Sequence, residues 1–168
     1  MKKFVYALGF FDGVHRGHAE LLRRCRELAG DGLEPGAVTF LGHPDTLVLG
    51  VTPGLINTPA DRERLLREIG GVRRVVALPF DRKMCAMAWD DFLDMLMEAH
   101  DAAGFVCGED FRFGYQGKGT AEHLADYCRQ RDLPWAVVPE QLCHGERISS
   151  TRIRQLLEAG DAARAAEF

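Results

Sequence analysis

His15 and His18 lie three residues apart within Gly9-Phe10-Phe11-Asp12-Gly13-Val14-His15-Arg16-Gly17-His18, the segment richest in chemistry in this chain. An apolar run, Phe4-Val5-Tyr6-Ala7-Leu8, precedes it, and an amphipathic run starts near Ala19. The order is strand, glycine-containing turn, helix. A helix N-terminus offers unpaired N–H groups and the positive end of a dipole, so it favours anions such as phosphate. Imidazoles placed there add donors that can become cationic near neutral pH. The arrangement suits holding nucleotide phosphates while one phosphorus is attacked. The two histidines could instead be a metal pair, but no third or fourth ligand stands at metal-site spacing, so no protein metal site is read here.

Three further segments carry candidate groups. Thr39-Phe40-Leu41-Gly42-His43-Pro44 follows a second strand-like run. Gly108-Glu109-Asp110-Phe111-Arg112-Phe113-Gly114 follows a later one, and Ile148-Ser149-Ser150-Thr151-Arg152-Ile153-Arg154 opens a helical pattern. Hydroxyls at a helix start can cap the helix and bind phosphate at once. Arg154 lies four residues after Ser150, so both can face one ligand, and its planar fork suits phosphate oxygens. Arg152 lies half a turn away and is expected to point elsewhere. Asp12 has two readings, a cap for the following helix or a substrate contact.

These groups need a scaffold. Short runs apolar on both faces predict strands at 3–9, 36–41, 72–78, 104–107 and 134–138. Helical patterns fall at 18–29, 60–69, 90–100 and 120–131, and another starts near Ser149. Thr58-Pro59 is a start signal, with leucines 65 and 66 and Ile69 as the apolar stripe of that helix. Trp89, Phe92, Leu93 and Leu96 form another core face. Repeated βα alternation predicts an α/β fold, a Rossmann-like doubly wound parallel sheet with helices on both faces. Ligands of such sheets bind beyond the strands' carboxyl ends. Residues 42–59 read as the longest unstructured stretch, a candidate lid or binding loop. Residues 114–120 lack P-loop spacing and read as a flexible flap. His100, His123 and His144 read as surface residues.

Composition excludes several classes. The 168 residues carry a formal net charge of −4 with no basic stripe, so nucleic acid is not an expected partner. No apolar run reaches spanning length, and no membrane association is expected. Five cysteines without a C-x-x-C pair predict reduced thiols and a cytoplasmic location.

Taken together, the four segments resemble the FMN adenylyltransferase (FAD synthetase) module of bacterial bifunctional riboflavin kinase/FAD synthetase, within the nucleotidyltransferase superfamily. That family carries G-x-F-D-G-V-H-x-G-H, T-F-x-x-H-P, V-x-G-x-D-F-x-F-G and I-S-S-T-x-I-R segments. They stand here in the same order, at Gly9–His18, Thr39–Pro44, Val106–Gly114 and Ile148–Arg154. The resemblance implies transfer of AMP from MgATP to FMN, giving FAD and pyrophosphate, with Mg²⁺ accompanying ATP and no protein ligand assigned to it. It implies catalytic roles for His15, His18, Ser150, Thr151 and Arg154 on the triphosphate. Gly9, Phe10, Phe11, Asp12, Gly17, His43, Gly108, Asp110, Phe111 and Phe113 become the expected substrate contacts. Adenine would be read by backbone around Gly9–Phe11 and Gly108, where glycine permits close approach. Phe11, Phe111 and Phe113 would pack near the isoalloxazine, Asp110 would meet a polar edge of the flavin, and His43 would reach FMN. Two positions depart from the family pattern: Phe10 stands where Asn is common and Gly42 where Pro is common. Residues 1–168 are expected to form one adenylyltransferase-like domain without a riboflavin kinase domain, so a separate kinase would supply FMN. Two alternatives remain open: a nucleotidyltransferase with another phosphate acceptor, and a non-catalytic flavin- or nucleotide-binding module.

Overall fold

A computed structural model describes residues 2–168. Five strands, β1 (Phe4–Leu8), β2 (Glu34–Leu41), β3 (Arg74–Pro79), β4 (Ala102–Gly108) and β5 (Trp135–Val138), form one sheet in the order β3-β2-β1-β4-β5. Every pairing in it is parallel. The expected doubly wound sheet is therefore present. β1 is buried along its whole length because both faces of the sheet are covered.

The alternation of side chains along β1 divides the core. Phe4, Tyr6 and Leu8 point to one face, where they meet α5 (Trp89–His100) and α6 (Ala121–Gln130) through Phe92, Leu93, Leu96, Leu124 and Tyr127. Val5 and Ala7 point to the other, against α1 (Arg16–Ala29) and α3 (Pro59–Glu68) through Leu22, Cys25 and Leu66. Gly36 of β2 is required by close approach, since a Cβ there would lie 2.4 Å from the Tyr6 ring.

Several short elements were not anticipated. Residues 42–59, expected to be unstructured, hold α2 (Pro44–Val48), capped by the His43 ring. α4 (Arg82–Ala86) follows β3 and is capped by Asp81. A two-stranded hairpin, β6 (Leu142–Cys143) and β7 (Glu146–Arg147), leads into α7 (Ser150–Glu158) and α8 (Ala162–Ala165). This C-terminal group packs as a small core of its own around Ile148, Ile153, Leu156 and Phe168.

Some faces differ from expectation. Ile69 is half exposed, and the buried positions of α3 are Arg62 and Leu66. Residues 114–120 are pinned rather than free: Phe113 and Gly119 exchange backbone hydrogen bonds, and a Cβ at Gly114 would strike Trp89 at 2.5 Å. His100 is half-buried, its backbone carbonyl accepting from the Tyr6 hydroxyl, whereas His123 and His144 are exposed.

Candidate active site

The strand order reverses direction between β1 and β4, and the carboxyl ends of these strands open a crevice there. Gly9 and Gly108 flank a cavity of about 250 Å³ at this point. Its wall continues through Phe10, His15, Gly17, His18, Asp110, Phe111, Ser149 and Ser150. Two helix N-termini meet it, those of α1 and α7, so the positive ends of two helix dipoles face one volume. Val138–Gln141 and Arg147 close the far side.

The turn between β1 and α1 is strained. Phe11 has φ 61° and Val14 φ 43°, unusual for side chains with a Cβ and more so for a β-branched one. Such strain persists where surrounding contacts over-determine it. Here the anchor is Asp12, only 2% exposed. Its Oδ1 accepts from the backbone N–H of Ile56 at 3.0 Å and of Asn57 at 3.3 Å, and its Oδ2 accepts from Arg154 Nη1 at 2.8 Å. Its carbonyl accepts from Ser150 Oγ at 2.8 Å, and Asn57 Oδ1 accepts from the Gly13 N–H at 3.1 Å. Asp12 is therefore neither a helix cap nor exposed to a ligand; it ties the first motif to the last and to the loop before α3.

His15 is the N-cap of α1, and its Nδ1 accepts from the His18 N–H at 3.3 Å. The two imidazoles stack with centroids 3.6 Å apart. Gly17 is needed beside them, because a Cβ there would come within 3.1 Å of the His15 ring. Burial pushes the His15 pKa down to about 4 against the opposing charge of Asp12. Burial, then the neighbouring His15, lowers that of His18 well below the ordinary imidazole value. Both shifts favour the neutral rings over the cationic forms that imidazoles can take near neutral pH. His18 Nδ1 is buried without a hydrogen-bond partner, an unsatisfied polar atom at the edge of the crevice.

Phe10 separates this cavity from a second one of about 710 Å³. The second is largely apolar, walled by Phe40, Leu47, Val48, Phe80, Phe92, Phe113 and the 114–117 turn, and Phe10 and Phe111 belong to both. The Phe10 carbonyl accepts from Thr39 Oγ1 at 2.8 Å and from Arg62 Nη1 at 3.0 Å. The Arg62 guanidinium lies 4.2 Å over the Phe10 ring, and the His43 ring meets that ring edge-on. Sequence reasoning missed Arg62, which is only 2% exposed and shares the buried face of α3 with Leu66.

Several expected contacts are corrected. Phe11 is fully buried on the α1 side, packing under Gly9 and against the edge of His18, because its left-handed backbone turns the ring inward. His43 lines neither cavity; its Nδ1 caps α2, accepting from Asp45 N–H at 3.2 Å. Asp110 sits in the smaller cavity and is ion-paired with Arg147, away from the larger, more apolar volume suited to a flavin ring. Thr151 is exposed and Arg154 is mostly buried, 3.4 Å from the Thr151 hydroxyl. Arg152 points away to Glu146, at 3.0 Å, as its helix phase requires. Phe113 is buried in the core and reaches only the larger cavity.

A parallel sheet with this strand order and a crevice at its switch point defines a doubly wound α/β protein. The family description "FAD synthetase" matches residues 1–152, and the chain belongs to that family. It is 29% identical over 160 residues to the bifunctional riboflavin kinase/FMN adenylyltransferase of Listeria monocytogenes, covering 94% of this chain and 50% of that protein. It is 33% identical over 157 residues to the protein of the same name from Escherichia coli K12, covering 91% of this chain and 50% of that one. The chain thus spans about half the length of these relatives. A solved structure titled macrolide-efflux protein, from Streptococcus pneumoniae, superposes with TM-score 0.86 at 33% identity, over 98% of this chain and 55% of that one.

Proposed function

We propose that this chain is an FMN adenylyltransferase that transfers AMP from MgATP to FMN, giving FAD and pyrophosphate. The observation that carries the reading is the pair of adjoining cavities with Phe10 and Phe111 in the wall of both. The smaller cavity, the more polar of the two and set at two helix N-termini, suits ATP; the larger, more apolar one suits an isoalloxazine ring. FMN in the larger cavity has its phosphate directed past Phe10 and Phe111 toward the α-phosphorus. An FMN phosphate oxygen then forms the new P–O bond as the bond to the β-phosphate bridging oxygen breaks, and that electron pair leaves with pyrophosphate. Positioning and charge stabilisation supply most of the catalysis in such a transfer.

His15 accepts at Nδ1, so its neutral ring carries the proton on Nε2 and can donate to the leaving pyrophosphate. His18, neutral and buried beside it, adds a second donor. Ser150, Thr151 and the remaining donors of Arg154 hold the β- and γ-phosphates at the α7 N-terminus. Gly9 and Gly108 let adenine approach the backbone. The carboxylates here are engaged, Asp12 by Arg154 and Asp110 by Arg147, so Mg²⁺ suits phosphate oxygens and water as part of MgATP.

The proposed acceptor of this domain is FMN. Five free cysteines fit a reducing, cytoplasmic setting, and among the described residues no helix is long and apolar enough to cross a membrane. Chromatography of flavins after incubation with the purified chain tests the reading. FAD and pyrophosphate are expected from FMN and MgATP. Riboflavin has no phosphate oxygen to attack with, so it is expected to give FAD only when an independent riboflavin kinase is added. No FAD from FMN with folded protein and magnesium present refutes the proposal.

A further inference from the structure

The hairpin before α7 and the turn after α8 bring together three metal-ligating groups, none of which lines either of the two cavities. The Cys143 Sγ, a His144 ring nitrogen and a Glu167 carboxylate oxygen all lie within 4.8 Å of one another. His144 Nε2 and Glu167 Oε2 are already 3.3 Å apart. Tetrahedral zinc, with bonds of about 2.0 Å to nitrogen and oxygen and about 2.3 Å to sulfur, places its donor atoms about 3.5 Å from one another. A small rotation of the exposed His144 and Glu167 side chains separates the present arrangement from that one.

The backbone supports the same reading. His144-Gly145 is the two-residue loop of the hairpin, with φ 50° and 80°. Two positive φ values define the turn that favours Asn-Gly, so a histidine at its first position is the costlier choice. Cys143 is buried, and its thiol points at the Glu167 carbonyl, 3.5 Å away. Its sulfur is therefore already turned toward the segment that carries the carboxylate.

We propose that Cys143, His144 and Glu167 bind one zinc ion, with water in the fourth position. A thiolate, an imidazole and a carboxylate form a donor set suited to zinc, whereas magnesium and calcium prefer oxygen ligands. On binding, the Cys143 thiol loses its proton to solvent and a sulfur–zinc bond forms. The ion acts as a staple. It joins the 142–147 hairpin to the C-terminal turn, whose Phe168 carbonyl accepts from the Arg16 N–H in the first turn of α1. Glu146, on the same hairpin, already holds Arg152 and Arg164.

Titration of the metal-free chain with Co²⁺, used as a spectroscopic stand-in for zinc, tests this. One equivalent is expected to give a thiolate-to-cobalt charge-transfer band together with intense tetrahedral d–d bands, and excess zinc is expected to abolish both. Cys143→Ser is expected to remove the charge-transfer band, and Cys85→Ser to keep it. His144→Asn retains the turn geometry and is expected to weaken cobalt binding by more than the roughly 10–100-fold that loss of an outer-shell partner costs. Zinc is expected to raise the melting temperature of the parent chain and leave that of the folded His144→Asn variant unchanged. Absence of the charge-transfer band in the parent, or its persistence in Cys143→Ser, overturns the proposal.

Discussion

Replacing Asp12 with Asn tests the assignment of this residue as an anchor rather than a substrate contact. The carboxylate accepts two backbone N–H groups through Oδ1 and the Arg154 guanidinium through Oδ2. Asparagine matches the size of Asp but offers one oxygen. If that oxygen meets Ile56 and Asn57, its NH₂ faces the Arg154 donor at 2.8 Å; if it flips, its NH₂ faces the two amides. Either way two donors oppose each other, and Arg154, with 17% of its side chain exposed, loses its counter-charge. Breaking a buried pair in this manner costs about 3–5 kcal/mol. For a chain of this size that corresponds to a melting temperature lower by about 6–20 °C. Arg154→Met alone leaves the Asp12 carboxylate unpaired, so the double variant Asp12→Asn/Arg154→Met is expected to lose less than the sum of the two single changes. Thermal melts of the four proteins, with FAD formation measured well below each midpoint, give both readouts. A melting temperature within about 2 °C of the parent, combined with loss of turnover, would mean that Asp12 acts on substrate and that its contacts to Ile56, Asn57 and Arg154 contribute little.

The His pair, the last helix and acid stability carry three more expectations. His15→Ala and His18→Ala are each expected to lower turnover by about 10²-fold or more while FMN affinity, measured by flavin fluorescence titration, changes little; near-parental FAD synthesis in either removes that residue from the mechanism. Arg154→Lys is expected to impair ATP use because lysine lacks the planar fork, whereas Arg152→Lys, which faces Glu146, is expected to be nearly silent in kinetics with ATP varied; equal defects contradict the phase seen in α7. Between the ordinary imidazole value of about 6.5 and the depressed value of about 4 for His15, the unfolded chain binds protons that the folded chain refuses, so stability falls as pH drops through that window, by about 3 kcal/mol at its acid end. Denaturant melts from pH 7.5 to 4.5 check this, with His15→Asn expected to flatten the profile; a parent profile already flat down to pH 5 contradicts the burial of that ring.

The sequence alone determined the alternation of strands and helices, because burial of both sheet faces writes continuous apolar runs such as Phe4–Leu8, and amphipathic helices write a different period. It also placed three of the four segments at the crevice, since each stands at the carboxyl end of a strand or the start of a helix; the Thr39–Pro44 segment meets only the larger cavity, through Phe40 and Pro44. Tertiary structure decided which side chains in those segments face the ligand. Phe11 and Phe111 look alike in sequence, yet a positive φ turns the first into the core while the second joins the two cavities. Asp12 was legible as a charged residue in a motif, but its partners lie 44 to 142 positions away and only the folded chain brings them within hydrogen-bond distance. Arg62 and the Cys143, His144 and Glu167 cluster follow the same logic: their meaning comes from contacts across the sheet edge or between distant segments, which spacing along a chain does not encode.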